Sequence, residues 1–211
     1  RADIIGTDLS PIQPGWVPPN CFFEVNDFDS EWDFAKPFDF IHGRNLGGSV
    51  RDFPLLYQRI YDNLKPGGWV EMVDFAADQF YSDDDSLDRA PNLVEWLNLQ
   101  LKAFAKFGKE YDVARHHRQR MIDAGFKNVK EDIYKIPLNP WAKDPKLKDI
   151  GRYMQLNMIE GMESYSLAIF TRYLGWSSEE AQVFFSGVRK ELTDRSLHVY
   201  TKFYYVYGQK E

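Results

Sequence analysis

Leu64-Lys65-Pro66-Gly67-Gly68-Trp69-Val70-Glu71-Met72-Val73-Asp74 is the stretch that decides the fold. Before it, Val50, Phe53, Leu56, Tyr57, Ile60 and Leu64 recur at helical spacing and predict a helix with one buried face. Ser49 is the expected N-cap, with Asp52 favouring the positive helix end three residues later. Pro66 cannot continue that helix, because it lacks an N–H and collides with the preceding turn. The glycine pair permits a left-handed exit. Trp69 to Val73 then reads as a buried strand that ends on an acid, Asp74.

Strands and helices alternate outward from this unit. Ala2 to Thr7 is an apolar run ending in Asp8. Prolines 11, 14, 18 and 19 punctuate a long irregular connection to a second strand, Cys21 to Val25, which stops at Asn26-Asp27. Glu31-Trp32-Asp33 reads as a surface turn or short helix, and Phe38 to His42 as a third strand. Asp78 to Asp88 is acidic and reads as a mobile loop. Leu93, Trp96, Leu97, Leu101 and Phe104 predict an amphipathic helix, and Arg115 to Ala124 another that ends at Gly125. Val129 to Ile136 is a strand closed by Pro137 and Pro140. Helices are expected over Ile150 to Met158 and again over Ser164 to Tyr173. Ser177 with Glu180 has capping-box spacing and opens a helix that buries Ala181, Phe184, Val188 and Leu192. The aromatic run His198 to Tyr207 is the last strand, with an antiparallel place in the sheet open to it. The alternation predicts one α/β domain over 1–211, parallel-dominated and doubly wound with crossover helices, carrying helical substrate or partner regions at about 78–125 and 145–195.

Composition excludes several function classes. With 44% hydrophobic and 16% aromatic residues the chain is no disordered acidic polymer. A net charge of -6 disfavours nucleic-acid binding by bulk electrostatics. No apolar run approaches the roughly 20 residues needed to span a bilayer. The lone Cys21 cannot form an internal disulfide, which fits a reducing location. Arg115-His116-His117-Arg118-Gln119-Arg120 is the basic cluster, and a solvated surface is its default. The adjacent His116 and His117 cannot both face one metal from a helix, so no metal site is expected.

In a doubly wound sheet, chemistry gathers at the carboxyl ends of strands. Three such ends carry groups that suit an adenosine ligand. Asp8, followed by Leu9, can accept hydrogen bonds from a ribose diol, or can cap the turn at Ser10. Asp27 can take an exocyclic amine, with the Phe28 amide facing a ring nitrogen and its ring walling the base; an ordinary Asx-turn is the alternative. At His42-Gly43-Arg44, Gly43 allows close backbone approach and Arg44 can pair with a carboxylate, either a ligand's or one in the neighbourhood of Asp8. His42 can orient a ligand, although a structural histidine is its leading reading.

A class I S-adenosylmethionine-dependent methyltransferase of the fungal LaeA-like group is what this chain resembles. The resemblance rests on Ile5-Gly6-Thr7-Asp8-Leu9-Ser10-Pro11-Ile12-Gln13-Pro14, Trp16 to Cys21, Phe38 to Asn45 and Leu64 to Val70, with Asp29, Glu31 and Trp32 matching an acidic patch with a tryptophan. It covers about the first 75 residues and returns at Ala124-Gly125-Phe126. It implies a methyltransferase-type, Rossmann-like sheet and S-adenosylmethionine as cofactor, with S-adenosylhomocysteine as product. By position it implies Asp8 for the ribose and Asp27 for the adenine, within a candidate set of Asp8, Leu9, Asp27, Phe28, His42, Gly43 and Arg44. No catalytic residue is assigned, because in-line methyl transfer needs alignment and exclusion of water more than covalent help.

The same resemblance implies a small-molecule or protein methyl acceptor in fungal secondary metabolism or its regulation. Acceptor contacts are expected from Phe80 to Phe107 and Tyr153 to Tyr173. It also implies assembly with a second methyltransferase-like or velvet-type protein and a cytoplasmic or nuclear location. The alternative is a non-catalytic scaffold subunit. The family's first strand and Gly-rich loop would lie just before Ile4, and the chain opens on Arg1, so it is expected to be a fragment. Residues 1–211 alone are therefore expected not to bind S-adenosylhomocysteine, and an upstream-extended chain to bind it.

Overall fold

The computed structural model describes residues 2–211. Its elements run β1 Ile4–Asp8, β2 Cys21–Val25, β3 Phe38–Arg44, α1 Phe53–Asn63, β4 Leu64–Phe75, α2 Pro91–Phe107, α3 His117–Asp123, β5 Lys127–Pro137, α4 Pro145–Ile169, α5 Ser178–Thr193 and β6 Tyr200–Gln209. β1 and β2 form a parallel pair. The second sheet has the order β3-β4-β6-β5, with β3 and β4 parallel and β6 antiparallel to both its neighbours. Parallel pairing thus holds wherever β6 does not enter. The two sheets share no ladder among the described residues.

Two cores hold the helices in place. Val50, Phe53, Leu56, Tyr57 and Ile60 bring α1 against Val70 and Met72 of β4, Met121 of α3 and Val206 of β6. Leu93, Trp96 and Leu97 of α2 pack with Met158 and Met162 of α4 and with Phe185, Val188 and Leu192 of α5. The Trp96 indole donates to Ser166 Oγ at 2.7 Å, which satisfies both buried polar groups.

Several local expectations are corrected. Asp52, not Ser49, caps α1: its carboxylate accepts from the Leu55 amide at 2.9 Å. The helix leaves α1 through an extended Leu64, and the left-handed residue is Gly67, at φ +80. The Pro-Gly-Gly segment is already part of β4, and the Gly67 amide donates to Lys210 O at 2.7 Å. The acidic segment 78–88 is tied down instead of loose: Tyr81 bridges to Tyr200, Asp83 binds Lys135 and the Tyr200 hydroxyl, and Asp84 binds His198. The two helices expected after residue 145 are one helix of 25 residues, closed by a π turn at Phe170–Leu174. In α5 the inward phenylalanine is Phe185, while Phe184 is half-buried; the capping box at Ser177 and Glu180 is present.

Candidate cofactor cleft

The gap between the two sheets holds two hollows. The larger, about 440 Å³, is walled by Ile5 and Thr7 of β1, by Phe28 and Trp32, and by Phe40, His42, Gly43 and Arg44 of β3. The smaller, about 340 Å³, is walled by Thr7, Asp8, Leu9, Asp27, Phe28, Asp29, Gly48, Ser49, Arg51 and Lys109. All seven candidate residues therefore line one hollow or the other, and Phe28 lines both.

The two parallel strands β1 and β2 end side by side, which delivers both carboxylates to the smaller hollow. Asp8 Oδ1 accepts from the Ser10 amide at 2.9 Å and Oδ2 from Gln13 Nε2 at 3.1 Å. Asp27 Oδ1 accepts from the Asp29 amide at 2.9 Å. Both acids thus make the turn contacts of their alternative readings. Each carboxylate oxygen has a second lone pair, so these turns leave acceptor capacity toward the hollow. His42 Nδ1 lies 2.9 Å from Glu71 Oε2 across the β3–β4 ladder, which agrees with a structural histidine at the rim of the larger hollow. Arg44 has no carboxylate within ion-pair distance among the described residues, so it does not pair with Asp8 or its neighbours. At Gly43 a Cβ would stand 2.5 Å from Met72 Sδ, so a larger residue there would make the Met72 side chain shift.

Other members of the site carry weak sequence signals. Asp29, nearly buried, accepts from the Arg51 amide at 3.0 Å and lies 3.9 Å from Arg51 Nε and 4.0 Å from Lys109 Nζ. Behind the loop after β3, Asp74 Oδ1 accepts from the Leu46 amide at 2.8 Å and the Gly47 amide at 3.3 Å. Its Oδ2 lies 2.9 Å from His117 Nε2, and His117 Nδ1 lies 2.8 Å from the Tyr57 hydroxyl. Asp74, His117 and Tyr57 are all buried. Burial pushes the Tyr57 phenol far above its ordinary range, so it stays an O–H donor. His117 is thus removed from the solvated basic cluster in which its neighbours lie. Ala114, His117 and Met121, three and four residues apart, were the available signal for an inner face.

Aromatic residues close the same loop from outside. Phe104 and Tyr111 stack at 4.5 Å between ring centroids, and Tyr111 also meets Phe75 edge-on. The Tyr111 hydroxyl donates to Gln100 at 2.8 Å, and burial raises its phenol too. Burial likewise raises the Asp112 carboxyl, which accepts from the Ala77 amide. No group of three His, Cys, Asp or Glu arranged to hold a metal occurs among the described residues, and no helix there is long and apolar enough to cross a membrane.

The lining fits an adenosine-bearing cofactor: two acceptor carboxylates at adjacent strand ends, an aromatic wall and one larger hollow beside them.

Comparison with known proteins agrees. A family model described as a methyltransferase domain matches residues 1–131. Methyltransferase pytC of Aspergillus terreus is 37% identical over 207 residues, covering 98% of this chain and 64% of that protein. Secondary metabolism regulator LAE1 of Cochliobolus heterostrophus is 36% identical over 204 residues, covering 95% of this chain and 66% of that protein. Protein-methionine methyltransferase laeA of Emericella nidulans is 34% identical, covering 94% and 54%. The chain therefore spans between about half and two thirds of these curated relatives. Among solved structures, the [4+2]-cyclase SpnF superposes over 99% of this chain and 67% of its own, at a TM-score of 0.53 and 14% identity. That likeness shows the fold alone, and one fold serves many chemistries. Residue order, strand ends and sequence relatives together place this chain in the methyltransferase-domain family, among LaeA-like fungal methyltransferases.

Proposed function

We propose that the protein containing this chain transfers a methyl group from S-adenosylmethionine to a small-molecule or protein acceptor in fungal secondary metabolism or its regulation. The observation that carries this reading is the meeting of Asp8 and Asp27 at one hollow, with Phe28 between it and the larger one. Asp8 would accept from the ribose hydroxyls, Asp27 from the adenine amine, and Phe28 would wall the base. His42, Gly43 and Arg44 would line the part of the cleft nearer the amino-acid moiety. The cofactor when bound supplies an electrophilic methyl group on a sulfonium. The residues of the cleft then have to orient it, leave an approach for the acceptor and keep water out.

The name of one relative, a protein-methionine methyltransferase, supports the protein branch of the acceptor reading. Assembly with a second methyltransferase-like or velvet-type protein belongs to the same proposal. It is supported by the regulator names among the relatives and by exposed Tyr153, Leu156 and Val183 on α4 and α5. A cytoplasmic or nuclear location follows from that reading.

Calorimetric titration with S-adenosylhomocysteine tests the cofactor assignment. In the full-length protein, Asp8→Ala and Asp27→Ala should each weaken binding about tenfold or more, the range for losing hydrogen bonds to a charged acceptor. Residues 1–211 alone should show no binding in the same titration, and tight binding by them would refute that expectation. Unchanged affinity in both variants overturns the assignment. A folded full-length protein that does not bind at all favours the non-catalytic subunit.

A further inference from the structure

One loop shapes both hollows. Asn45 and Leu46 line the larger, Gly48 lines the smaller, and Ser49 lines both. At its start the Asn45 amide donates to Val73 O at 3.0 Å, and at its far end the Gly48 amide donates to Glu110 O at 2.7 Å and Lys109 Nζ to Ser49 O. The next two amides, Leu46 and Gly47, donate to the buried Asp74 carboxylate at the end of β4. A buried carboxylate needs its lone pairs satisfied, because an unpaired buried charge is costly. Two backbone N–H groups serve Oδ1, and His117 serves Oδ2 at 2.9 Å. His117 comes from α3, and its far nitrogen meets the Tyr57 hydroxyl from α1 at 2.8 Å. Every polar hydrogen in the chain is used if Tyr57 donates to Nδ1 and the His117 Nε2–H donates to Asp74.

We propose that Asp74, His117 and Tyr57 act as positioning residues for the proposed cofactor cleft, holding the 45–49 loop at the spacing that the two hollows share. The loop and α3 meet the carboxylate directly and α1 reaches it through His117, so a change in α1 or α3 is passed to the loop through Asp74. None of the three side chains lines either hollow; their effect on a ligand passes through the Leu46 and Gly47 amides. The role extends the cofactor reading given above and depends on it for its functional consequence, but the anchoring of the loop can be tested without any ligand.

The experiment uses the full-length protein with Tyr57→Phe, Asp74→Asn and Asp74→Leu, and Asp8→Ala as the control. Amide hydrogen exchange is read at Leu46 and Gly47, against the β4 and β6 amides as a measure of global stability. S-adenosylhomocysteine affinity is read by calorimetry. In Asp74→Leu, exchange at 46 and 47 should rise about tenfold with the β-sheet amides unchanged, and affinity should fall about tenfold. Asp74→Asn should restore most of both, because its Oδ1 still accepts from the loop. Tyr57→Phe keeps the ring packing and tests the relay when a change at Asp74 unfolds the protein. It should speed exchange at 46 and 47 without lowering the thermal midpoint by more than a few degrees. Exchange at 46 and 47 that moves only together with the whole sheet reduces the relay to a core contact and overturns the proposal. Faster loop exchange with unchanged affinity in Asp74→Leu, while Asp8→Ala still loses affinity, overturns the positioning role and leaves the cofactor reading standing. Loss of effect in Asp8→Ala, with the loop behaving as expected, removes the cofactor reading instead.

Discussion

Gly47 and Gly67 both resist substitution, for different physical reasons. A Cβ on Gly47 would stand 2.5 Å from Tyr111 O, a backbone atom that cannot rotate aside. Gly67 meets nothing within 4 Å, but its φ of +80 lies in the left-handed region. The two cases separate on asparagine, which visits left-handed backbone more readily than other side chains. Gly67→Asn should cost less than Gly67→Ala, with the alanine change near 1–2 kcal/mol. Gly47→Ala and Gly47→Asn should both cost about 1–3 kcal/mol, the range for overpacking a tight site. Urea denaturation of the four variants checks this. Equal rescue by asparagine at both positions would show that backbone strain, not the Tyr111 contact, governs Gly47. Gly47 also donates to Asp74, so its variants should loosen the loop that walls the cleft.

Helix ends give the clearest predictions at the level of single elements. Asp52 accepts from the Leu55 amide and Ser177 from the Glu180 amide, with the Glu180 carboxylate returning to the Ser177 amide at 2.7 Å. Asp52→Ala and Ser177→Ala should each lower stability by about 1 kcal/mol. Ser49→Ala should stay within about 0.5 kcal/mol, because its side chain caps nothing. Denaturation midpoints that rank Ser49→Ala with the other two would return the cap to Ser49. The misassignment has a physical source. Ser49 and Asp52 both precede the apolar periodicity, and the choice depends on the path of Gly47 and Gly48, which local preference does not encode. The strand–helix alternation, the buried face of α1 and the capping box were legible because they follow periods of two and 3.6 residues. The single long α4 was not: the two expected segments stop at Met158 and resume at Ser164, and residues 159–163 stay helical because Met158 and Met162 pack against α2 and α5. In the candidate site, the shared placement of Asp8 and Asp27 at one hollow was legible because strand ends advertise themselves in sequence. His117 was hidden among charged neighbours, and its partners Tyr57 and Asp74 lie 60 and 43 residues away.

On the scale of the whole molecule, stability is unevenly spread between the two sheets. β4 and β6 lie in the middle of the second sheet, paired on both sides, and Val70, Met72, Val73 and Val206 are buried. β1 and β2 pair only with each other among the described residues. Their apolar side chains stay in contact with water, with Ile4 50%, Phe22 56% and Val25 64% exposed. A two-stranded ladder with little buried apolar area is marginal in water, so it should open locally well below the free energy of global unfolding. Amides of Gly6 and Thr7 in residues 1–211 should therefore exchange at least about a hundredfold faster than those of Met72 and Val206, the difference expected between local and global opening. Under the proposed cofactor reading this bears on function, since Asp8 ends β1 and Asp27 follows β2, while His42, Gly43 and Asp74 sit on the second sheet. Adding S-adenosylhomocysteine to a binding-competent protein should slow exchange in β1 and β2 more than in β4 or β6, because the ligand would bridge the two. Protection confined to β4 and β6 would mean that the cleft closes without the β1 and β2 carboxylates, and the adenosine contacts would have to be sought elsewhere on the second sheet.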